Sequence, residues 1–204
     1  MNKQDVISFF DRCAPTWDAE MIRNEGAIAA ILDAAGIVPG VTVLDVACGT
    51  GVLFPDYLAR GAASVTGVDI SPEMARIAAG KVSDGRVTVL CGDVENIALS
   101  QKYDRCVVYN AFPHFPEPEN LIRALAGHLN PGGRLTIAHG MSRAAIDRHH
   151  SGGASKVSRG LMHEDELAGL FAPCFHVDVK VSDEEKYIVS GCLREIANMR
   201  LSTC

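Results

Sequence analysis

Val43-Leu-Asp-Val-Ala-Cys-Gly-Thr-Gly51 is the stretch on which the reading of this chain turns. The apolar run Val41 to Ala47 stops at Gly49 and Gly51, and Val52 to Arg60 then carries a helical pattern, so the segment reads as strand, tight turn, helix. Glycine adopts positive φ readily and lets a ligand approach the backbone, which suits a nucleotide-like molecule at the edge of a parallel sheet. A dinucleotide fingerprint would place a third glycine three residues after Gly51, where Phe54 stands, and does not include an acidic residue such as Asp45 in the strand end. Both points count against a pyrophosphate site.

Outward from this turn, strand-like and helix-like segments alternate. Apolar runs at Val41 to Ala47, Ser64 to Asp69, Arg86 to Cys91, Tyr103 to Tyr109 and Gly133 to His139 predict strands. Helical patterns fill the intervals at Val52 to Arg60, Pro72 to Lys81 and Pro118 to Leu129, the last stopped by Asn130-Pro131-Gly132-Gly133. An N-terminal helix is expected around Asp18 to Ala35. Alternation of this kind predicts an α/β fold, a mostly parallel sheet with helices on both faces. The C-terminal third departs from it, because Phe175 to Val181 and Lys186 to Cys192 flank Ser182-Asp183-Glu184-Glu185 and read as a hairpin that adds an antiparallel strand. Met141 to Met162, which contains Ser151-Gly152-Gly153, fits neither pattern and reads as a mobile or functional loop.

With 204 residues, 48% of them hydrophobic, the chain is long enough for one substantial core and short for two domains with a linker, so a single domain over residues 1–204 is expected. The net charge of −6 and the scattered Lys and Arg offer nothing to a phosphate backbone, and nucleic acid is not an expected partner. No run is long and apolar enough for a signal peptide or a membrane span, which predicts a cytoplasmic protein. The seven cysteines lack metal-type spacing and read as reduced thiols. Cys91 and Cys106 fall in strands and are expected in the core, while Cys13 precedes Pro15 in a loop.

The glycine turn, with Asp45, Ala47, Gly49 and Gly51 in alternation, resembles the first motif of class I S-adenosylmethionine-dependent methyltransferases, alanine standing at the first glycine position. The likeness covers Val41 to Ile137 with specific motifs, among them Leu129-Asn-Pro-Gly-Gly-Arg-Leu135, and extends loosely to Cys192. It implies a single Rossmann-like doubly wound sheet, in which a C-terminal hairpin inserts a reversed strand. Asp69 ends the second strand about twenty positions after the turn, where a carboxylate accepts both hydroxyl hydrogens of a ribose. The other reading of Asp69, a helix N-cap, is already met by Ser71 ahead of Pro72. Asp93 ends the third strand, where the resemblance places an acceptor for the adenine amino group. Ile70, Met74 and Val94 are expected around the ring, and Asn110 joins the cofactor-binding set.

Beyond the fourth strand the chain reads Tyr109-Asn110-Ala-Phe112-Pro113-His114-Phe115, a loop too apolar for an ordinary surface turn. His114 is the candidate general base, since its pKa lies near neutrality, and Phe112 and His139 are expected to border the acceptor. Asn110 begins a passing likeness to the Asn-Pro-Pro-aromatic motif of amino-directed enzymes, broken by Ala111. His139, His149 and His150 could converge with His114, yet no Cys-x-x-Cys or His-x-x-x-His element accompanies them and no metal is expected. The likeness is to the small-molecule branch, quinone- and arsenite-methyltransferase-like, and Phe9 to Asp18 resembles the segment that quinone-ring and other small-molecule methyltransferases fold over the cofactor, so residues 1–36 are expected to form a helical lid over a core of 37–204, with Trp17 against the acceptor.

Methyl transfer from S-adenosylmethionine, with S-adenosylhomocysteine as product, to a small molecule in an apolar or aromatic pocket is the function these features imply. Two alternatives remain: a non-catalytic S-adenosylmethionine-binding regulatory protein, which would need neither His114 nor a lid, and a nicotinamide-dependent oxidoreductase, against which Phe54 argues. The accepting atom and the oligomeric state are not written in the sequence.

Overall fold

A computed structural model of the chain describes residues 1–150 and 156–195, with the side chains of residues 149 and 150 outside the description. Strands β1 (Thr42–Val46), β2 (Ser64–Asp69), β3 (Val87–Cys91), β4 (Tyr103–Tyr109), β5 (Leu129–His139), β6 (Phe175–Ser182) and β7 (Tyr187–Leu193) form one sheet in the order β3-β2-β1-β4-β5-β7-β6. β1 to β5 pair in parallel, and β7 runs antiparallel to both β5 and β6, so the hairpin inserts one reversed strand.

Residue alternation assigns the two faces. Leu44, Val46, Cys106, Val108, Leu135 and Ile137 turn toward helices α6 (Pro118–Gly127) and α8 (Glu164–Phe171), where Leu121, Leu125, Leu167 and Phe171 complete a buried cluster. Val43, Val65 and Val107 turn the other way, onto α3 (Glu25–Ala34), α4 (Phe54–Ala59) and α5 (Pro72–Lys81). With both faces covered, the inner strands carry apolar residues almost continuously, as the runs in the sequence do. Among the described residues no helix is long and apolar enough to cross a membrane.

The structure departs from the expected elements in three places. The single helix expected over Asp18 to Ala35 is two, α2 (Trp17–Glu20) and α3, because Asn24 caps a fresh helix by accepting from Ala27 N–H at 3.1 Å. Arg23 in the break donates to Val52 O at 2.7 Å and to the Asp56 carboxylate at 2.9 Å, which ties it to α4. The Asn130-Pro131-Gly132-Gly133 stop lies inside β5 as a bulge: Leu129 pairs with Tyr103 and Arg134 with Arg105, so the four intervening residues face Asp104 alone. Asp104 holds this end together, accepting from Asn130 Nδ2 and from Thr42 N–H and Oγ, each at 2.9 Å. The third departure is in the expected loop Met141 to Met162, where α7 (Arg143–His150) forms, while Ser151-Gly152-Gly153 lies outside the described residues. Beyond it α8 is capped reciprocally by His163 and Glu166.

Candidate functional site

At the carboxyl ends of the strands the order reverses between β1 and β4, and a cavity opens there. Its floor comes from the turn after β1, with Asp45, Ala47 and Gly49 bordering the space. The end of β2 and the start of α5 add Asp69, Ile70 and Met74, and the residues after β3 add Asp93 and Val94. Asn110 and His114 enter from beyond β4. Four of five strand ends expected to carry ligand chemistry thus meet in one space, although they are up to 69 positions apart, from Asp45 to His114.

Asp69 organises the floor. Its Oδ2 accepts from Gly49 N–H at 2.8 Å and its Oδ1 from Ser71 N–H at 2.8 Å, so one buried carboxyl clamps the glycine turn to the start of α5. Burial pushes its pKa up to about 6, against the pull of those two N–H groups. Asp45 is 2% exposed and is pushed further, up to about 8, by burial first and by the charge of Asp69, with the Tyr57 hydroxyl opposing. Burial thus holds a proton more firmly on Asp45 than on Asp69. Burial alone would also raise Asp93, but Lys3 Nζ at 2.6 Å, Asn96 Nδ2 at 2.7 Å and Glu95 N–H at 3.1 Å more than offset it and hold that carboxyl below its ordinary range.

Backbone geometry separates the two glycines. A Cβ on Gly49, at φ +55°, would meet nothing nearer than Trp17 Nε1 at 4.0 Å, so it would project into open space beside the cavity. Gly51 does not border the cavity, contrary to the sequence-based expectation; a Cβ there would strike the Phe54 ring at 2.6 Å. Gly67 on β2 faces the same ring, at 2.5 Å from an added Cβ. Phe54, standing where a dinucleotide fold keeps a glycine, thus fits because two other glycines make room for it. Ala47 (φ 52°) and Asn110 (φ 54°) are the two non-glycine residues with positive φ among the described residues, and both line the cavity. Each costs about 1–2 kcal/mol in that conformation, and Asn110 is fixed in it by Gly140 N–H donating to Oδ1 at 2.9 Å.

The roof is N-terminal. α1 (Lys3–Cys13) and α2 contribute Lys3, Phe10 and Trp17 to the cavity wall. Phe10 meets the Trp17 ring edge-on at 5.7 Å and the His114 ring at 4.9 Å, which joins the roof to the loop after β4. Three charged side chains fasten it. Lys3 reaches Asp93 and Glu95; Asp11 accepts from Ser71 Oγ at 2.5 Å and Glu73 N–H at 3.2 Å; Asp18 accepts from Thr50 Oγ at 2.5 Å and Lys81 Nζ at 2.8 Å. Sequence reading missed Lys3, Asp11 and Asp18 as site residues because their partners lie 32 to 92 positions away and no local pattern announces them.

Two expected acceptor residues lie elsewhere. Phe112 begins a 3₁₀ turn, Phe112–His114, in which successive side chains are about 120° apart. It turns into the core beneath α6 and α8, His114 faces the cavity, and Phe115 lines the wall in its place. His139 is buried at the end of β5, edge-on to Tyr187 at 6.2 Å, and does not border the cavity; its side chain follows Leu135 and Ile137 onto the α6 and α8 face. The side chains of His149 and His150 lie outside the description.

A family model described as a methyltransferase domain matches residues 43–133, from β1 to the β5 bulge. Ubiquinone biosynthesis O-methyltransferase of Xanthomonas oryzae pv. oryzae is 36% identical over 115 residues, 54% of this chain and 46% of that protein. Malonyl-[acyl-carrier protein] O-methyltransferase of Priestia megaterium is 28% identical over 148 residues, 68% of this chain and 52% of the relative. The chain spans about half the length of the curated relatives it matches. Magnesium protoporphyrin IX methyltransferase of Synechocystis PCC 6803, solved with bound SAH, superposes with a TM-score of 0.71 at 19% identity, covering 95% of this chain and all of that one, a likeness of fold.

Proposed function

We propose that this chain, a class I S-adenosylmethionine-dependent methyltransferase by its fold and its matched domain, moves a methyl group from S-adenosylmethionine to a small-molecule acceptor in the cavity between β1 and β4. The observation that carries the proposal is the Asp69–Gly49 clamp, set in one cavity with Asp93, Asn110 and His114 under an aromatic roof.

The residues present fit that donor. After Gly49 and Ser71, each Asp69 oxygen keeps one lone pair, enough to accept the two hydroxyls of a ribose. Asp93 Oδ1 keeps one beyond Glu95 N–H, for an exocyclic amine. The open side of Gly49 lets a ligand lie against backbone. S-adenosylmethionine supplies a methyl group on a positively charged sulfur. Ionised Asp69 favours that cation, and a cation nearby also draws Asp45 toward its charged form. Ile70, Met74 and Val94 offer apolar walls to the base, while Phe10, Trp17 and Phe115 exclude water from the acceptor side.

The acceptor we propose is flat and apolar, on the strength of that aromatic wall; nucleic acid is not proposed, given the net charge of −6. We assign the protein to the cytoplasm, where thiols stay reduced, because the six described cysteines are all free. Lys3, Phe10 and Trp17 border the cavity from α1 and α2, which supports a lid that closes over the bound donor.

Calorimetric titration of the full chain with S-adenosylhomocysteine, with NAD as comparator, tests the reading. Binding of the first alone, weakened at least about tenfold in Asp69→Asn by loss of acceptor strength, is expected. Binding of NAD in preference, or of neither, would discard it, and binding with no turnover on any acceptor would favour a regulatory protein.

A further inference from the structure

We infer that the indole N–H of Trp17 binds the carboxylate at the amino-acid end of S-adenosylmethionine, so that the roof closes selectively over a donor that keeps this group; the inference rests on the methyl-transfer reading above. Trp17 Nε1 lies 4.0 Å from the place of a Cβ on Gly49, on the open side of that glycine. Trp17 borders the cavity, and no described residue accepts from its N–H. Two neighbours hold the indole there. Asp18, next in the chain, accepts at 2.5 Å from the hydroxyl of Thr50, which follows Gly49. Phe10 meets the indole ring edge-on at 5.7 Å. The N–H edge is thus fixed against the glycine turn while the ring packs within the roof.

Strand order decides which part of the donor meets that edge. Asp93 follows β3, Asp69 ends β2 and Gly49 lies in the turn after β1, three neighbours in the sheet. With adenine at the first and ribose at the second, the amino-acid end comes to the third. It carries an ammonium and a carboxylate. Asp45, buried in β1 beside the turn, suits the ammonium, and the carboxylate needs donors. Lys3 is the one lysine or arginine among the described residues to border the cavity, and Asp93 and Glu95 engage it at the far end. Gly49 N–H is already given to Asp69. Trp17 supplies an N–H with no competing acceptor, and a bond from it to a carboxylate is charge-assisted, roughly twice as strong as one between neutral groups. Asp18 does not oppose this charge, because Lys81 pairs with it at 2.8 Å. Trp17 belongs to the roof and Gly49 to the floor, so a carboxylate between them ties one to the other, and a donor without it leaves the roof held by its own side-chain contacts alone.

Calorimetry with S-adenosylhomocysteine and with its decarboxylated analogue, on the wild type and on Trp17→Phe, separates this contact from packing, since phenylalanine keeps an aromatic ring and lacks the N–H. Trp17→Phe should weaken S-adenosylhomocysteine by about tenfold and leave the affinity of the analogue unchanged, which also shows the variant to be folded. Losses of equal size on the two ligands, or no loss on S-adenosylhomocysteine, would overturn the inference. Trp17 is the one tryptophan of the chain, so its emission reports closure directly. Saturating S-adenosylhomocysteine should shift that emission, and the saturating analogue should leave it where the ligand-free protein has it. Identical emission with the two ligands would contradict a carboxylate contact. Absence of S-adenosylhomocysteine binding in the wild type would instead indict the methyl-transfer reading itself.

Discussion

The floor and the roof of the cavity are held by different kinds of contact. In the floor, buried backbone N–H groups meet a buried carboxyl, as in the two 2.8 Å bonds of Asp69, and the strand-turn-helix geometry admits little adjustment. In the roof, most contacts join side chains at partly exposed positions, Lys3 with Asp93 and Glu95 and Asp18 with Thr50 and Lys81, and Asp11 alone of the three anchors also takes a backbone N–H, that of Glu73. Exposed pairs of this kind contribute about 0–1 kcal/mol each. A floor of the first kind stays in place while ligands exchange. A roof of the second kind can be released without unfolding anything beneath it.

The largest expected effect tests the floor. Gly49→Val places a branched side chain at φ +55° beside the cavity and should abolish S-adenosylhomocysteine binding, with secondary structure by circular dichroism largely retained. Gly51→Ala, two residues on, should do the reverse: contact with Phe54 at 2.6 Å should cost about 1–3 kcal/mol of stability in denaturant unfolding, with affinity kept in the protein that remains folded. If both variants lost only affinity, the separation between a ligand-facing and a packing glycine would fail.

That separation was half legible in the sequence. The glycine turn and the end of β2 at Asp69 could be read because each lies within one strand-turn-helix unit, where local spacing fixes geometry, while the inserted reversed strand rested on the resemblance. The packing duty of Gly51 and Gly67 could not, because it depends on where the Phe54 ring at the start of α4 lies, and that is fixed by Gly67 on β2, a separate element. Phe112 and Phe115 illustrate the same limit: both are aromatic and three residues apart, and the 3₁₀ turn ends at His114, so Phe115, in extended backbone, escapes the face that Phe112 buries. His139 ends β5 as expected, but strand alternation from Leu135 and Ile137 carries its side chain beneath α6 and α8 and away from the cavity.

A smaller effect concerns charge. Asp45 and Asp69 keep protons in the folded protein, with pKa values of about 8 and 6, that they release near 4 when unfolded. Folded-state proton binding therefore exceeds unfolded binding between about pH 4 and 8, and ligand-free stability should fall as pH rises through that window. Thermal unfolding against pH should show the fall in wild type and a shallower one in Asp45→Asn; a flat wild-type curve would show the floor carboxyls to be better solvated than their burial implies.

The smallest effects belong to the roof. Lys3→Ala should change stability by no more than about 1 kcal/mol, since its side chain is 38% exposed. It should also speed hydrogen exchange over Phe9 to Trp17, which S-adenosylhomocysteine should slow in the wild type. Exchange indifferent to both would make α1 and α2 a fixed cap and erase the contrast with the floor.

The central claim, that one cavity holds the donor against Asp69 and Asp93 and turns its reactive end to His114, is tested most directly by a crystal structure with S-adenosylhomocysteine. The account predicts the ribose hydroxyls on Asp69, the adenine amine at Asp93 and the sulfur on the side of Trp17 and His114, beneath a closed roof. A ligand bound outside this cavity, or one whose sulfur faces away from His114, would contradict it.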